Sequence, residues 1–95
     1  MVVGMLCLEL HVPDAQSLKD KRSVVKSLKE QMRGKFNVSV AEVEPNDTWQ
    51  RATLGVAAVG GDRPFVTACL QQIVDWVRAS RRCALIQSEQ EILSC

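Results

Sequence analysis

Between Val2 and Val12 the chain alternates, with Leu6, Leu8, Leu10 and Val12 on one side and Cys7, Glu9 and His11 on the other. This period of two predicts a strand with one buried and one half-wet face. Pro13-Asp14-Ala15-Gln16 breaks the alternation, and Ser17 followed three residues later by Asp20 is a helix-start signal resembling a capping box. From about Leu18 to Arg33 the apolar positions Leu18, Val25, Leu28 and Met32 share one helical stripe, with Val24 at its margin and Gly34 placed to end the helix. Alternation returns at Phe36, Val38 and Val40 and runs to about Glu44, where Pro45-Asn46-Asp47 signals a turn. Arg51 to Val59 predicts a third strand with Ala52, Leu54, Val56 and Ala58 inward, paired with the second as a hairpin. After Gly60-Gly61, Asp62 can cap a second helix with Pro64 in its first turn. Val66, Cys69, Leu70, Ile73, Val74 and Val77 give that helix a packed face, Arg81-Arg82 follows it, and Cys83 to Ile92 predicts a last strand.

The order βαββαβ is that of the ferredoxin-like α+β fold, a four-stranded antiparallel sheet with two helices on one face. Ninety-five residues support one hydrophobic core, so residues 1–95 are expected to form a single domain. No apolar run is long enough for a membrane span, and MVVGMLCLEL has no basic lead-in and carries Glu9, so neither an anchor nor a signal peptide is expected. The expected location is the cytoplasm, with no membrane partner.

The net charge of +1 says little, but its distribution changes the picture. Residues 17–35 hold seven basic and two acidic side chains, a local charge of +5, which leaves −4 for the rest of the chain. At 100° per residue, Lys19, Arg22, Lys26, Lys29 and Arg33 fall within an arc of roughly 80° on the flank of the first helix. Such a row repels itself unless an anion or acidic partner neutralises it. RNA phosphates would do so, an acidic protein is an alternative, and a solvated face with buried stems is the plainest reading.

The sheet face away from the helices would display Cys7, Glu9 and His11 beside Arg51, Thr53 and Gly55 if the first and third strands are central. With only 4% aromatic residues and none of them there, base stacking on this face is disfavoured, whereas pairing with a second copy suits its small residues. Glu9 and His11 share a face, but no nucleophile on a strained turn, no phosphate-binding glycine loop and no metal-ligand cluster accompanies them. A structural histidine is the expectation, with no enzyme activity, cofactor or metal. Cys7, Cys69, Cys83 and Cys95 form no CxxC, so free thiols are expected, three of them in apolar surroundings and Cys95 exposed. Trp49 is expected to fold back over the end of the core, with an exposed anchor as the rival reading. Phe65 and Trp76 read as helix-flank packing.

Gly4, the run from Ser17 to Lys29 with its SLKDKR start, Lys35 to Val43 (KFNVSVAEV) and Asp47 to Arg51 resemble the YlxP-like, or DUF503, proteins of bacteria. The likeness spans residues 2 to about 80. It implies a ferredoxin-like fold and assigns no catalytic residue. Genes of that family commonly lie among those for transcription elongation, translation initiation and small-subunit maturation, which implies association with RNA or the ribosome. The expected partner is therefore ribosomal RNA or the small ribosomal subunit, with a homodimeric interaction module as the alternative. The expected contact residues are Lys19, Lys21, Arg22, Lys26, Lys29 and Arg33, with Lys35, Asn37, Trp49 and Arg51 at the rim.

Overall fold

A computed structural model describes residues 1–44 and 48–95, so the turn expected at Pro45-Asn46-Asp47 lies outside the described residues. The elements are β1 (Val2–His11), α1 (Leu18–Lys35), β2 (Val38–Glu42), β3 (Arg51–Gly60), α2 (Arg63–Arg78) and β4 (Ala84–Ser94). The strands form one antiparallel sheet in the order β2-β3-β1-β4. This is the ferredoxin-like α+β arrangement, and β1 and β3 are the central pair, in register from Val2 opposite Gly60 to His11 opposite Arg51.

Alternation in the central strands decides which side carries the core. Leu6, Leu8 and Leu10 of β1 and Ala52, Leu54, Val56 and Ala58 of β3 are buried against Val24, Val25, Leu28 and Met32 of α1 and Leu70, Ile73, Val74 and Val77 of α2. Each large side chain so buried contributes roughly 1.5–3 kcal/mol of transfer free energy. Gly4 lets α2 approach the sheet, since a Cβ there would lie 2.5 Å from Val66 Cγ1 and 3.0 Å from Leu70 Cδ1.

Both helix starts use the signals read in the sequence. The Ser17 hydroxyl accepts from the Asp20 N–H at 3.1 Å, while the Asp20 carboxylate accepts from Gln16 N–H at 3.0 Å, one residue before the position an ideal capping box would use. Asp62 accepts from Phe65 N–H at 2.8 Å, and Pro64 stands in the first turn, where its missing N–H costs nothing. Gly34 does not end α1. The helix runs on to Lys35, with Phe36 N–H donating to the Met32 carbonyl, and no glycine takes a positive φ. β2 is shorter than its alternation suggested, and β4 runs two residues further, to Ser94.

Candidate nucleic-acid interface

The charged flank of α1 follows from the helix it sits on. Val24, Val25, Leu28 and Met32 turn toward the sheet, so the flank opposite them faces solvent. There Lys19, Arg22, Lys26 and Arg33 are exposed and Lys29 is half-buried, one cation for about each turn. At about 1.5 Å per residue the row from Lys19 to Arg33 is about 21 Å long. Among the described residues, Lys19, Arg22, Lys26 and Lys29 have no acidic or hydrogen-bonding partner. The row is a linear array of unneutralised charge.

Two of the nominated cations do not belong to that array. Lys21 is only 2% exposed and lies among the core-facing residues of α1. The sequence carried the signal, because Lys21 projects about 20° from both Leu28 and Met32, inside the apolar stripe and far from the arc of the other cations. Arg33 is exposed but engaged, its Nη2 donating to the Val40 carbonyl at 2.6 Å.

The rim residues fall at opposite ends of α1. Lys35 and Asn37, both exposed, stand at its C-terminal end beside a shallow groove of about 260 Å³ whose apolar lining includes Phe36, Val59, Phe65 and Cys69. Trp49 and Arg51 belong to the other end. Val12 N–H donates to the Gln50 carbonyl at 2.8 Å, and Gln50 Nε2 donates to the carbonyls of Pro13 and Ala15, both at 3.3 Å, which ties this turn to the loop that precedes α1. Trp49 does not fold over the core, being 52% exposed, and Phe65, read as helix-flank packing, is 63% exposed. Trp76 does pack, edge-on to Phe36 with ring centroids 6.2 Å apart. Arg51 sits opposite His11 on the open face of the sheet, so it does not join the α1 row.

That open face has a character the sequence reading missed. Register places Leu93, Val3 and Val59 in one row across β4, β1 and β3, then Glu91, Met5 and Ala57, then Glu89, Cys7 and Gly55, then Gln87, Glu9 and Thr53. Glu44 reaches the same surface and lines a hollow of about 190 Å³ with Cys7, Glu9 and Glu89. Desolvation raises the Cys7 thiol above its ordinary pKa, and the neighbouring charges of Glu44, Glu89 and Glu9 raise it further. Cys7 is therefore an exposed thiol among carboxylates, where apolar surroundings had been expected; Cys83 is buried, Cys69 half-buried and Cys95 exposed, and all four are free. The alternation of Gln87, Glu89 and Glu91 was the available signal, but only the pairing of β4 with β1 assigns it to this side.

Comparison with known proteins can now be set beside this geometry. Residues 3–90 match the family described as "Protein of unknown function (DUF503)". The chain belongs to the DUF503 family. This DUF503 protein is also 38% identical over 76 residues to "Uncharacterized protein YlxP" of Bacillus subtilis (strain 168), a match covering 80% of this chain and 83% of that relative. The family match takes in α1 whole and the open sheet face as far as Gln90, leaving Glu91 and Leu93 of the DUF503 protein outside it. Among the described residues no helix is long and apolar enough to cross a membrane.

Proposed function

We propose that this DUF503 protein is a cytoplasmic, non-catalytic accessory factor that binds RNA through the outward flank of α1. The observation that carries the reading is the row of Lys19, Arg22, Lys26 and Lys29, which among the described residues has no neutralising partner. A phosphate backbone supplies repeated negative charge along a line, and displaced counterions supply the free energy. Lys35, at the C-terminal end of α1, projects about 120° or more round the helix from the row and stands outside it, while Trp49, beside the start of α1, offers an exposed ring for an unstacked base. The approach is from the helix side, because the open sheet face presents carboxylates that repel phosphate. The choice of ribosomal RNA, on the small subunit or its precursor, rests on the gene neighbourhood that the family resemblance implies. Lys21 has no part in it.

The test is binding of the purified protein to small ribosomal subunits and to unrelated RNA across a salt series, with Lys26→Glu/Lys29→Glu in parallel. Four phosphate contacts on single-stranded RNA give a log–log salt slope of about −3, and the double reversal brings it to about −1.5 or shallower. Preference for the subunit supports the ribosomal assignment. Equal affinity of wild type and reversal variant, with circular dichroism showing both folded, overturns the role of α1.

A further inference from the structure

The open face of the sheet is a second interaction surface, and it differs from α1 in both charge and polarity. One end is apolar: Val59 is 57% exposed, Leu93 44% and Met5 38%, with Val3 between Val59 and Leu93 in the same cross-strand row. Large exposed apolar side chains in contiguous rows on the uncovered side of a sheet mark a surface that excludes water when a partner covers it. Next to it the face is acidic, with Glu91 in the row of Met5, Glu89 in the following row, Glu9 one row further and Glu44 at the hollow that Glu89 and Glu9 border. The middle is small, and Gly55 is covered by Val43, whose Cγ1 would lie 3.1 Å from a Cβ built on Gly55. Arg51, at the far end opposite His11, is the one basic strand residue among the described residues of this face.

We propose that this face docks a basic protein segment, one presenting Lys or Arg side chains next to apolar ones. Charge complementarity selects that occupant over the others. RNA would meet Glu9, Glu44, Glu89 and Glu91 with like charge, and a second copy stacked face to face would oppose two sets of the same carboxylates. A cationic, partly apolar segment satisfies both parts together, its apolar side chains on Met5, Val59 and Leu93 and its cations on the adjoining Glu89 and Glu91. The surface is independent of the RNA reading, since α1 lies on the opposite side of the sheet. If both hold, the domain joins an anionic polymer on one side to a basic protein on the other.

The test is amide chemical-shift mapping of the full-length ¹⁵N-labelled protein titrated with an amphipathic Lys/Leu peptide, beside a Glu/Leu peptide and an oligolysine without apolar residues. Shifts confined to Met5, Cys7, Gly55, Ala57, Glu89 and Glu91 are expected with the Lys/Leu peptide, and none with the Glu/Leu peptide. Oligolysine, Glu89→Lys/Glu91→Lys and Leu93→Ser should each bind about tenfold more weakly or worse, as loss of charge or apolar complementarity requires. These substitutions fall on exposed edge-strand positions, and unchanged amide spectra elsewhere verify the fold. The proposal is overturned by an absence of shifts on this face, by wild-type affinity in the two variants, by shifts with an RNA oligomer there, or by concentration-dependent shifts showing self-association through it.

Discussion

Arg33 Nη2 donates to the main-chain carbonyl of Val40 at 2.6 Å, joining the last turns of α1 to β2. Among the described residues β2 has a strand neighbour only in β3, and because Val43 N–H donates to the Thr53 carbonyl, the antiparallel ladder turns the polar groups of Val40 away from β3. Arg33 therefore satisfies a carbonyl on the free edge of the sheet, where an unpaired backbone group invites another chain.

Arg33→Ala should lower stability by about 1 kcal/mol, the range for a partly solvated charge-assisted hydrogen bond, and weaken RNA binding less than Lys26→Glu does. Urea denaturation beside the salt series reads both. A loss of RNA affinity equal to that of Lys26→Glu would show that Arg33 is available to phosphate after all.

Lys21→Ala separates burial from charge. Truncating the buried stem should cost about 1–2 kcal/mol in urea melts while leaving the salt slope of RNA binding unchanged. A slope shallower by about one phosphate contact would return Lys21 to the interface.

Two glycines should respond with opposite sign. Gly4→Ala pushes against Val66 and Leu70 and should destabilise by about 1–3 kcal/mol, because α2 must lift from the sheet. Gly34→Ala meets nothing within 4 Å and keeps an ordinary helical backbone, so it should stabilise by about 0.5–1 kcal/mol. Thermal melts of the pair decide the matter.

Cys7 should react with iodoacetamide more slowly than Cys95 at the same pH, since desolvation and its Glu neighbours disfavour the thiolate. Glu89→Gln should speed that reaction, as peptide mass spectrometry can follow. Desolvation also raises the Cys83 thiol, partly offset by its hydrogen bond with Ser80. Both groups hold their protons to higher pH folded than unfolded, so their share of stability is whole below the ordinary thiol pKa of about 8.5 and is lost as pH rises through the folded values. Stability should accordingly fall on the alkaline side.

Trp49 and Trp76 should be distinguishable by emission. Trp49→Phe should leave a blue-shifted spectrum from half-buried Trp76 that acrylamide quenches poorly, and should cost under about 1 kcal/mol. Strong quenching of the remaining tryptophan would contradict the packing of Trp76 on Phe36.

The elements were legible because each rests on local signals. Period two marks the central strands, period 3.6 the helices, and Ser17, Asp62 and Pro64 act within one turn of their own position. The α1 row was legible for the same reason, since residues three and four apart share a helix face whatever packs behind it. The same rule, applied to Lys21, would have removed it from the site. Trp49 and Phe65 were misread because their exposure depends on whether the core leaves room for an aromatic ring, and the smaller apolar side chains of β1, β3 and the helices fill it already.

By itself the sequence determined the six elements, the N-caps of both helices and the segregation of positive charge onto α1, all set by interactions between residues close along the chain. Only the tertiary structure decided that Glu9, Glu89 and Glu91 share a surface with Met5, Val59 and Leu93, and that Arg33 is drawn to Val40. Those relations join segments distant in the chain, and the strand order and register that bring them together are fixed by burial of the common core on the other side of the sheet.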